Sequence, residues 1–453
     1  MKVSKIAFAV ASLMLAGQAS AVDVYVSGAS ALRDSMPRLM DRFCQTNAVA
    51  TPRKMYVAAV PLAALDNDRR VFSCTFHTTT TNATIGAEIP ATLRGQFVRV
   101  FHSVEVGDAG TLDNLIGGSI TGIVPLLYTG NANAQLNFLN IDSGTPVNLN
   151  ANDTTFVGAA RFSHNVQAKA DSQIGLSDIE PSKFTPEFGN VPDAAAVPDE
   201  WKNFDPSVLT GTVAFLGGFG VAASQNLITA GMTNITEPQL AAVLSGNITN
   251  WSQIGGPNLA VKVCRRTPGS GTQGTFNALI SHVGCGANKG GAELIAGRQA
   301  DFPGVIFENP TTGNVRTCLQ TGNDAGLGTV GILGLENNGS DTKYQIISFD
   351  GVKIWDTTGD TVDGKVDSIR EDKIISGEYP LYVESTVQER PGLTGLQHDF
   401  YTLLSDKAGD TVFTTSLPGV VTTAAKRTTG ALNAGASNFA RGGDTCNPSA
   451  YQP

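Results

Sequence analysis

Val22-Asp-Val-Tyr-Val alternates apolar and polar positions and breaks at Gly28-Ala-Ser, which predicts a strand running into a turn. Met36, Leu39, Met40 and Phe43 then recur at helical spacing and predict a helix with one buried face. Residues 97–106 predict a further strand, with Gly107-Asp-Ala-Gly-Thr leading to a short helix near Leu112. Gln173-Ile-Gly-Leu-Ser-Asp is a short strand that ends at a turn on Ser177-Asp178. Val213-Ala-Phe-Leu-Gly-Gly-Phe-Gly-Val-Ala-Ala suits a buried strand at a hinge. Thr236-Glu-Pro-Gln-Leu-Ala-Ala-Val-Leu-Ser-Gly has helix-start chemistry, an apolar face and a glycine stop. Residues 327–335 form a glycine-interrupted apolar strand, Asp350-Gly a turn, and 375–383 a final long strand. Residues 50–153 are rich in Thr, Asn, Ala and Gly and predict strands and long loops that decorate a first domain; 193–205 is a connector.

The stretch from Val261 to Ile280 concentrates the chemistry. Val261 and Val263 alternate like a strand, Thr267-Pro-Gly supplies a turn, and Ser270-Gly-Thr opens a helix carried by Phe276, Leu279 and Ile280. A helix N-terminus presents unpaired N–H groups at the positive end of its dipole, which is a ready anion site. Arg266, four residues before Ser270, brings a planar fork of donors to the same point. Gly28-Ala-Ser offers a second such cradle.

At 453 residues the chain holds two or three domains, and 41% apolar with 16% charged residues describes a globular protein. A net charge of −9 argues against nucleic-acid or anionic-membrane partners but leaves a small anion open. Residues 1–21 read as a secretory signal: Lys2 and Lys5, an apolar run, then Ala19-Ser20-Ala21 as the cleavage site. No Cys follows that site and no later apolar run reaches membrane-spanning length, so an exported protein without lipid anchor or membrane insertion is expected.

Six cysteines suit an oxidising destination and allow 15 full pairings. Cys264 lies two positions before Arg266, on the same strand face, and is expected to bond Cys285 or Cys318; Cys44 is expected to bond Cys74. Scattered histidines and the lack of a C-x-x-C pair predict no metal, and no cofactor is called for. The Asp-rich insert 356–367 does not have EF-hand spacing and reads as a solvated turn.

Ile235-Thr-Glu-Pro-Gln-Leu-Ala-Ala-Val-Leu-Ser-Gly-Asn-Ile-Thr-Asn-Trp, followed by Val263-Cys-Arg-Arg-Thr-Pro-Gly-Ser-Gly-Thr, resembles the periplasmic phosphate-binding proteins of ABC transporters. Gly28-Ala-Ser-Ala, Gly175-Leu-Ser-Asp, Gly328-Thr-Val-Gly-Ile and Ile375-Ser-Gly-Glu-Tyr-Pro-Leu extend the resemblance in order, whereas 45–165 and the tail after Thr422 look unlike the family. The resemblance implies an α/β, two-lobed periplasmic-binding-protein fold of type II, each lobe a twisted sheet flanked by helices, joined by two hinge strands. Lobe one would take 22–212 and 385–453, with insertions at about 45–165; lobe two would be 213–384 and carry the anion loop. Carried over, phosphate-binding positions are Ser30, Ala31 and Leu32 from the first cradle, Asp178, and Arg266, Ser270, Gly271 and Thr272. Ala31 and Leu32 stand where the family commonly has a Thr hydroxyl. A further ligand loop is expected at Ser103 or at 107–111, although Asp108 there would repel an anion.

The function expected is an exported, periplasmic or extracellular solute-binding protein for phosphate or a related oxyanion, monomeric, with an ABC transporter permease as a partner. The alternative is a secreted interaction or surface protein that kept the fold and repurposed the pocket. Neither a Ser-His-Asp nor a metal constellation supports a hydrolase.

Overall fold

A computed structural model describes residues 21–29, 35–46, 48, 51–59, 65–104, 115–286, 296–335, 341–356, 368–410, 419–423 and 436–452. Residues 1–20 of the expected signal segment 1–21, Ser30, Ala31, Leu32, residues 107–111, the helix expected near Leu112, and most of the Asp-rich insert lie outside these residues.

The strands are β1 (Val22–Gly28), β2 (Lys54–Ala59), β3 (Leu65–Thr75), β4 (Phe97–Ser103), β5 (Val147–Asn152), β6 (Ala160–His164) and β7 (Ile174–Ser177), then β8 (Thr212–Ser224), β9 (Val261–Arg266), β10 (Ile306–Asn309), β11 (Gly328–Gly334), β12 (Tyr344–Phe349) and β13 (Tyr382–Glu389). The order across the sheet is β10-β9-β11-β8-β13-β7-β1-β4-β3-β2-β6-β5, with β12 also on β8. Helices used below are α1 (Ser35–Phe43), α2 (Glu237–Leu244), α3 (Gly271–Leu279), α4 (Thr312–Asp324) and α5 (Gly395–Lys407).

The fold is α/β with two lobes. β1, β4 and β7 are parallel in one lobe, and β9, β10 and β11 in the other. β8 joins them: Thr212 to Gly218 pairs with β13, and Phe219 to Ala223 pairs with β11. The small residues of Gly217-Gly218-Phe-Gly let a single strand serve both sheets. A Cβ at Gly218 would meet Leu335, and one at Gly220 would meet Ile346, each well inside contact distance. β13 is the second crossing strand and returns to β7.

One core packs Val24, Val26, Val98 and Val100 against Met36, Leu39, Met40 and Phe43 of α1 and Phe400 of α5. The other lobe packs Leu240 and Val243 of α2 and Phe276 of α3 on Val261, Val263 and Val330. α2 starts as its sequence indicates, with a reciprocal Thr236–Gln239 capping box. Among the described residues no helix is long and apolar enough to cross a membrane.

Two segments differ from the sequence reading. Within 50–153, β2, β3 and β5 are not decoration: with β6 they extend the first lobe's own sheet beyond β4 through antiparallel and parallel ladders. Residues 375–381 are not strand either. A helix over Glu371–Ile375 ends at Gly377 with φ +74°, and the strand starts only at Tyr382, past Pro380, which has no N–H to give a ladder.

The disulfides are Cys44–Cys74, Cys264–Cys318 and Cys285–Cys446. Cys264 therefore takes the second of its two expected partners. The bond ties β9 to α4, so the arginine strand is braced against that helix.

Candidate functional site

Arg266 ends β9, and its guanidinium is buried. It donates from Nη2 to the Pro310 carbonyl at 2.7 Å, from Nε to the Asn309 carbonyl at 3.3 Å, and from Nη1 to Thr312 Oγ1 at 3.2 Å. These three acceptors lie in the turn from β10 into α4, the helix that Cys318 fastens to the same strand. Burial pulls the Arg266 pKa down to about 10, opposed by the charges of Asp178 and Asp68, so the cation persists at neutral pH.

The chain then turns at Gly269, with φ +91°, where a side chain would also collide with Ile120 of the other lobe. Ser270 caps α3 by accepting the Gln273 N–H on its Oγ. Gly271 and Thr272 occupy the first helical turn, whose N–H groups have no intrahelical acceptor. Ser270, Gly271 and Thr272 are all buried.

Asp178 follows β7 and reaches this point from the other lobe. A Cβ on Gly271 would lie 2.8 Å from Asp178 Cβ and 3.0 Å from its Oδ2, so the carboxylate rests against the start of α3. Burial raises the Asp178 pKa to about 6, while the Arg266 charge and a hydrogen bond from Ser119 oppose the rise. A cation, a helix N-terminus and a buried carboxylate thus converge. That set can bind a tetrahedral oxyanion that still carries a proton: donors for its charged oxygens, an acceptor for its hydroxyl.

A further loop, not singled out in the sequence, comes to the same point. The short 3-10 turn Gly118–Gly122 brings Ser119 Oγ to within 3.0 Å of the Asp178 N–H, which it accepts. A Cβ on Gly271 would lie 2.3 Å from the same Oγ, and one on Gly118 would be 3.1 Å from Ser270 Cα and 3.2 Å from Arg266 Nη2. Ser103, the other expected position, is instead a buried residue at the end of β4, paired with Ser27 and Arg69. Gly117-Gly-Ser-Ile-Thr was the available signal, a glycine and hydroxyl run, but nothing local distinguishes it from other such runs in a chain with 50 glycines.

Three glycines explain how that turn is seated. Cβ atoms on Gly28, Gly122 and Gly175 would come within 2.1 Å of Leu176 O, 2.2 Å of Leu176 O and 1.8 Å of Gly122 O, respectively. Backbone lies on backbone here, which gives Gly28-Ala-Ser and Gly175-Leu-Ser-Asp a steric reason. Asn190 was missed as well: its carbonyl and Oδ1 both accept the Gly269 N–H at 3.0 Å. Ile120 N–H donates to Gly269 O at 2.9 Å. Asn277 of α3 donates to the Phe188 carbonyl at 2.8 Å. The lobes therefore meet around the turn that precedes α3. Among the described residues no group of His, Cys, Asp and Glu could hold a metal ion.

Residues 210–400 match the model of the PBP superfamily domain. The match takes in β8, Arg266 and α3; Asp178 and Ser119 lie outside it. Proteins described as phosphate-binding are similar to this chain over a short stretch or at low identity. A stretch of 49 residues is 41% identical to phosphate-binding protein PstS of Borreliella burgdorferi, covering 11% of this chain and only 18% of that protein. Among solved structures, a protein from Clostridium perfringens described as a phosphate ABC transporter substrate-binding protein with bound phosphate is 12% identical, with a TM-score of 0.43 over 88% of this chain and 99% of that one. An ABC-type phosphate transport receptor from Vibrio cholerae is 15% identical, with a TM-score of 0.38 over 85% of this chain and 94% of that one.

Proposed function

We propose that this chain is an exported solute-binding protein that captures phosphate, or a closely related oxyanion, between its two lobes. Lobe one is assigned 22–212 and 385–453, and lobe two 213–384. The observation that carries the reading is the convergence of Arg266 and the Ser270-Gly271-Thr272 helix start, from one lobe, with Asp178 and Ser119 from the other. Arg266 supplies the full countercharge, which the roughly half charge of a helix end does not. Asp178 accepts the phosphate O–H and selects against sulfate, which has no proton to offer near neutral pH. Ser30, Ala31 and Leu32 follow β1 and are proposed as the remaining cradle. Binding at such a seam favours the closed lobes over the open ones. Supply of the anion to an ABC transporter permease, and function as a monomer, belong to the same proposal.

The test is calorimetric titration of phosphate and sulfate into protein freed of bound anion by denaturation and refolding with the disulfides intact. Phosphate binding with rejection of sulfate by about 10⁴-fold is expected for a site built around a ligand hydroxyl. A secreted interaction protein is the second reading, favoured by the sheet extension through β2, β3, β6 and β5. Absence of binding for both anions would leave that reading standing and remove the first.

A further inference from the structure

The tail 436–452 is laid over the molecule rather than built into a sheet. Its two short strands, Phe439–Ala440 and Ala450–Tyr451, pair only with each other. Between it and the ends of α2, α3 and β13 remains a cavity of about 270 Å³, lined among others by Glu237, His282, Arg441 and Thr445. What fixes the tail is chemical. Cys446 is bonded to Cys285, 161 positions earlier and just beyond the end of α3. The neighbouring residue grips the other lobe: Thr445 donates from its N–H and its Oγ1 to the two carboxylate oxygens of Glu180, each at 2.7 Å. Lys183 donates to Asp444 at 2.8 Å and also contacts Glu180 at 3.2 Å. Glu180 and Lys183 are buried, and Phe188 packs with Cys285, Cys446 and Ala278 in a small apolar cluster that seals the junction.

The two anchor points bear directly on the anion turn. Glu180 is two residues after Asp178, and Cys285 lies six residues beyond the end of the helix that Ser270 caps. From these contacts we infer that the tail is a covalent strap, fastened to lobe two by Cys285–Cys446 and to the Asp178 loop by Glu180, which holds the lobes closed and slows exchange at the anion turn. The inference rests on the two-lobed reading of the site but not on which anion enters it. Opening the lobes by a hinge at β8 and β13 would separate Asp178 from α3, and the strap spans that gap with one disulfide on one side and three polar contacts on the other.

Two amides report on closure without any ligand. Ile120 N–H donates to Gly269 O, and Gly269 N–H donates to Asn190, so both bonds cross between the lobes. Hydrogen exchange of the Ile120 and Gly269 amides is to be compared in anion-free wild type, C285S/C446S and E180Q; the Val263 amide, bonded to Val305 inside lobe two, is the reference. Exchange faster by about tenfold or more at Ile120 and Gly269 in both variants, with Val263 unchanged, is expected of a strap whose loss permits local opening. Unchanged protection at both amides in folded C285S/C446S overturns the inference. Should that variant fail to fold, E180Q decides alone: faster exchange supports the strap and unchanged exchange overturns it. Phosphate dissociation, followed in parallel, is expected to quicken with the amides. If wild type binds no phosphate, the functional reading fails while the amides still decide the strap.

Discussion

Asp178→Asn separates the charge of this buried carboxyl from its shape. The Asp178 pKa stands at about 6 in the folded protein against an ordinary 3.8, chiefly because burial penalises the anion. That displacement corresponds to on the order of 3 kcal/mol. Its sign follows from proton linkage. The folded protein holds this proton more tightly than the unfolded chain, so the stabilisation is fully present below about pH 3.8 and is lost as pH rises through about 6. Asparagine does not titrate. Stability of the wild type relative to the variant should therefore fall by on the order of 3 kcal/mol between pH 4 and pH 7 in phosphate-free buffer. Any constant cost of leaving Arg266 without its neighbour cancels in that comparison. Urea unfolding of both proteins at matched pH values, disulfides intact, measures it. Parallel pH profiles would refute the reasoning, because they would mean that the carboxyl is hydrated or paired in both states. Phosphate at a hundredfold excess over its Kd should restore about 2.7 kcal/mol to the wild type at pH 7.

The same carboxyl sets an anion preference that depends on pH. Protonated Asp178 can donate to sulfate, so the phosphate-over-sulfate ratio should fall as pH drops through about 6, and Asp178→Asn should flatten it at every pH. Competition titrations check this; a ratio constant with pH in wild type would reduce Asp178 to a turn residue. Arg266→Ala should cost roughly 2–5 kcal/mol of phosphate binding, as for other desolvated charge partners, and Arg266→Lys should recover only part because the fork is lost. Wild-type affinity by calorimetry in the alanine variant would make Arg266 structural. Gly271→Ala puts a methyl 2.3 Å from Ser119 Oγ and 2.8 Å from Asp178 Cβ, so it should cost about 1–3 kcal/mol through displaced loops, read as a lower melting temperature. N-terminal sequencing of the exported protein should begin at Val22.

Local chemistry made the turn between β9 and α3 legible. Arg266, Ser270, Gly271 and Thr272 lie within one strand, turn and helix start, where spacing and dihedral preference act over a few residues. Thr236 and Gln239, three apart, show their cap in the same way. From its own segment Asp178 reads as the end of a short strand, and only the resemblance singled it out, because its approach to Gly271 comes from the other lobe. Nothing local set Ser119 apart from other glycine and hydroxyl runs, or marked Asn190: their partners, Asp178 and Gly269, lie 59 and 79 positions away.

Cysteine pairing divides along the same line. Cys44–Cys74 and Cys264–Cys318 each join elements of one lobe and were within reach of a guess from the chain order. Cys285–Cys446 was not, since only the folded course of the tail brings those residues together. The sequence by itself determined several strands and helices, β1, β7, β9, α1 and α2 among them, and where one helix would start beside an arginine, because periodicity, turn residues and capping are local properties. Tertiary structure alone decided that Gly28, Gly122 and Gly175 would let backbone lie on backbone, that the 54–75 and 147–164 strands would widen a sheet, and that the tail would cross to Glu180. Those outcomes depend on close approach between residues far apart in the chain, where excluded volume and buried hydrogen bonding choose the partner and no pattern in the intervening sequence records the choice.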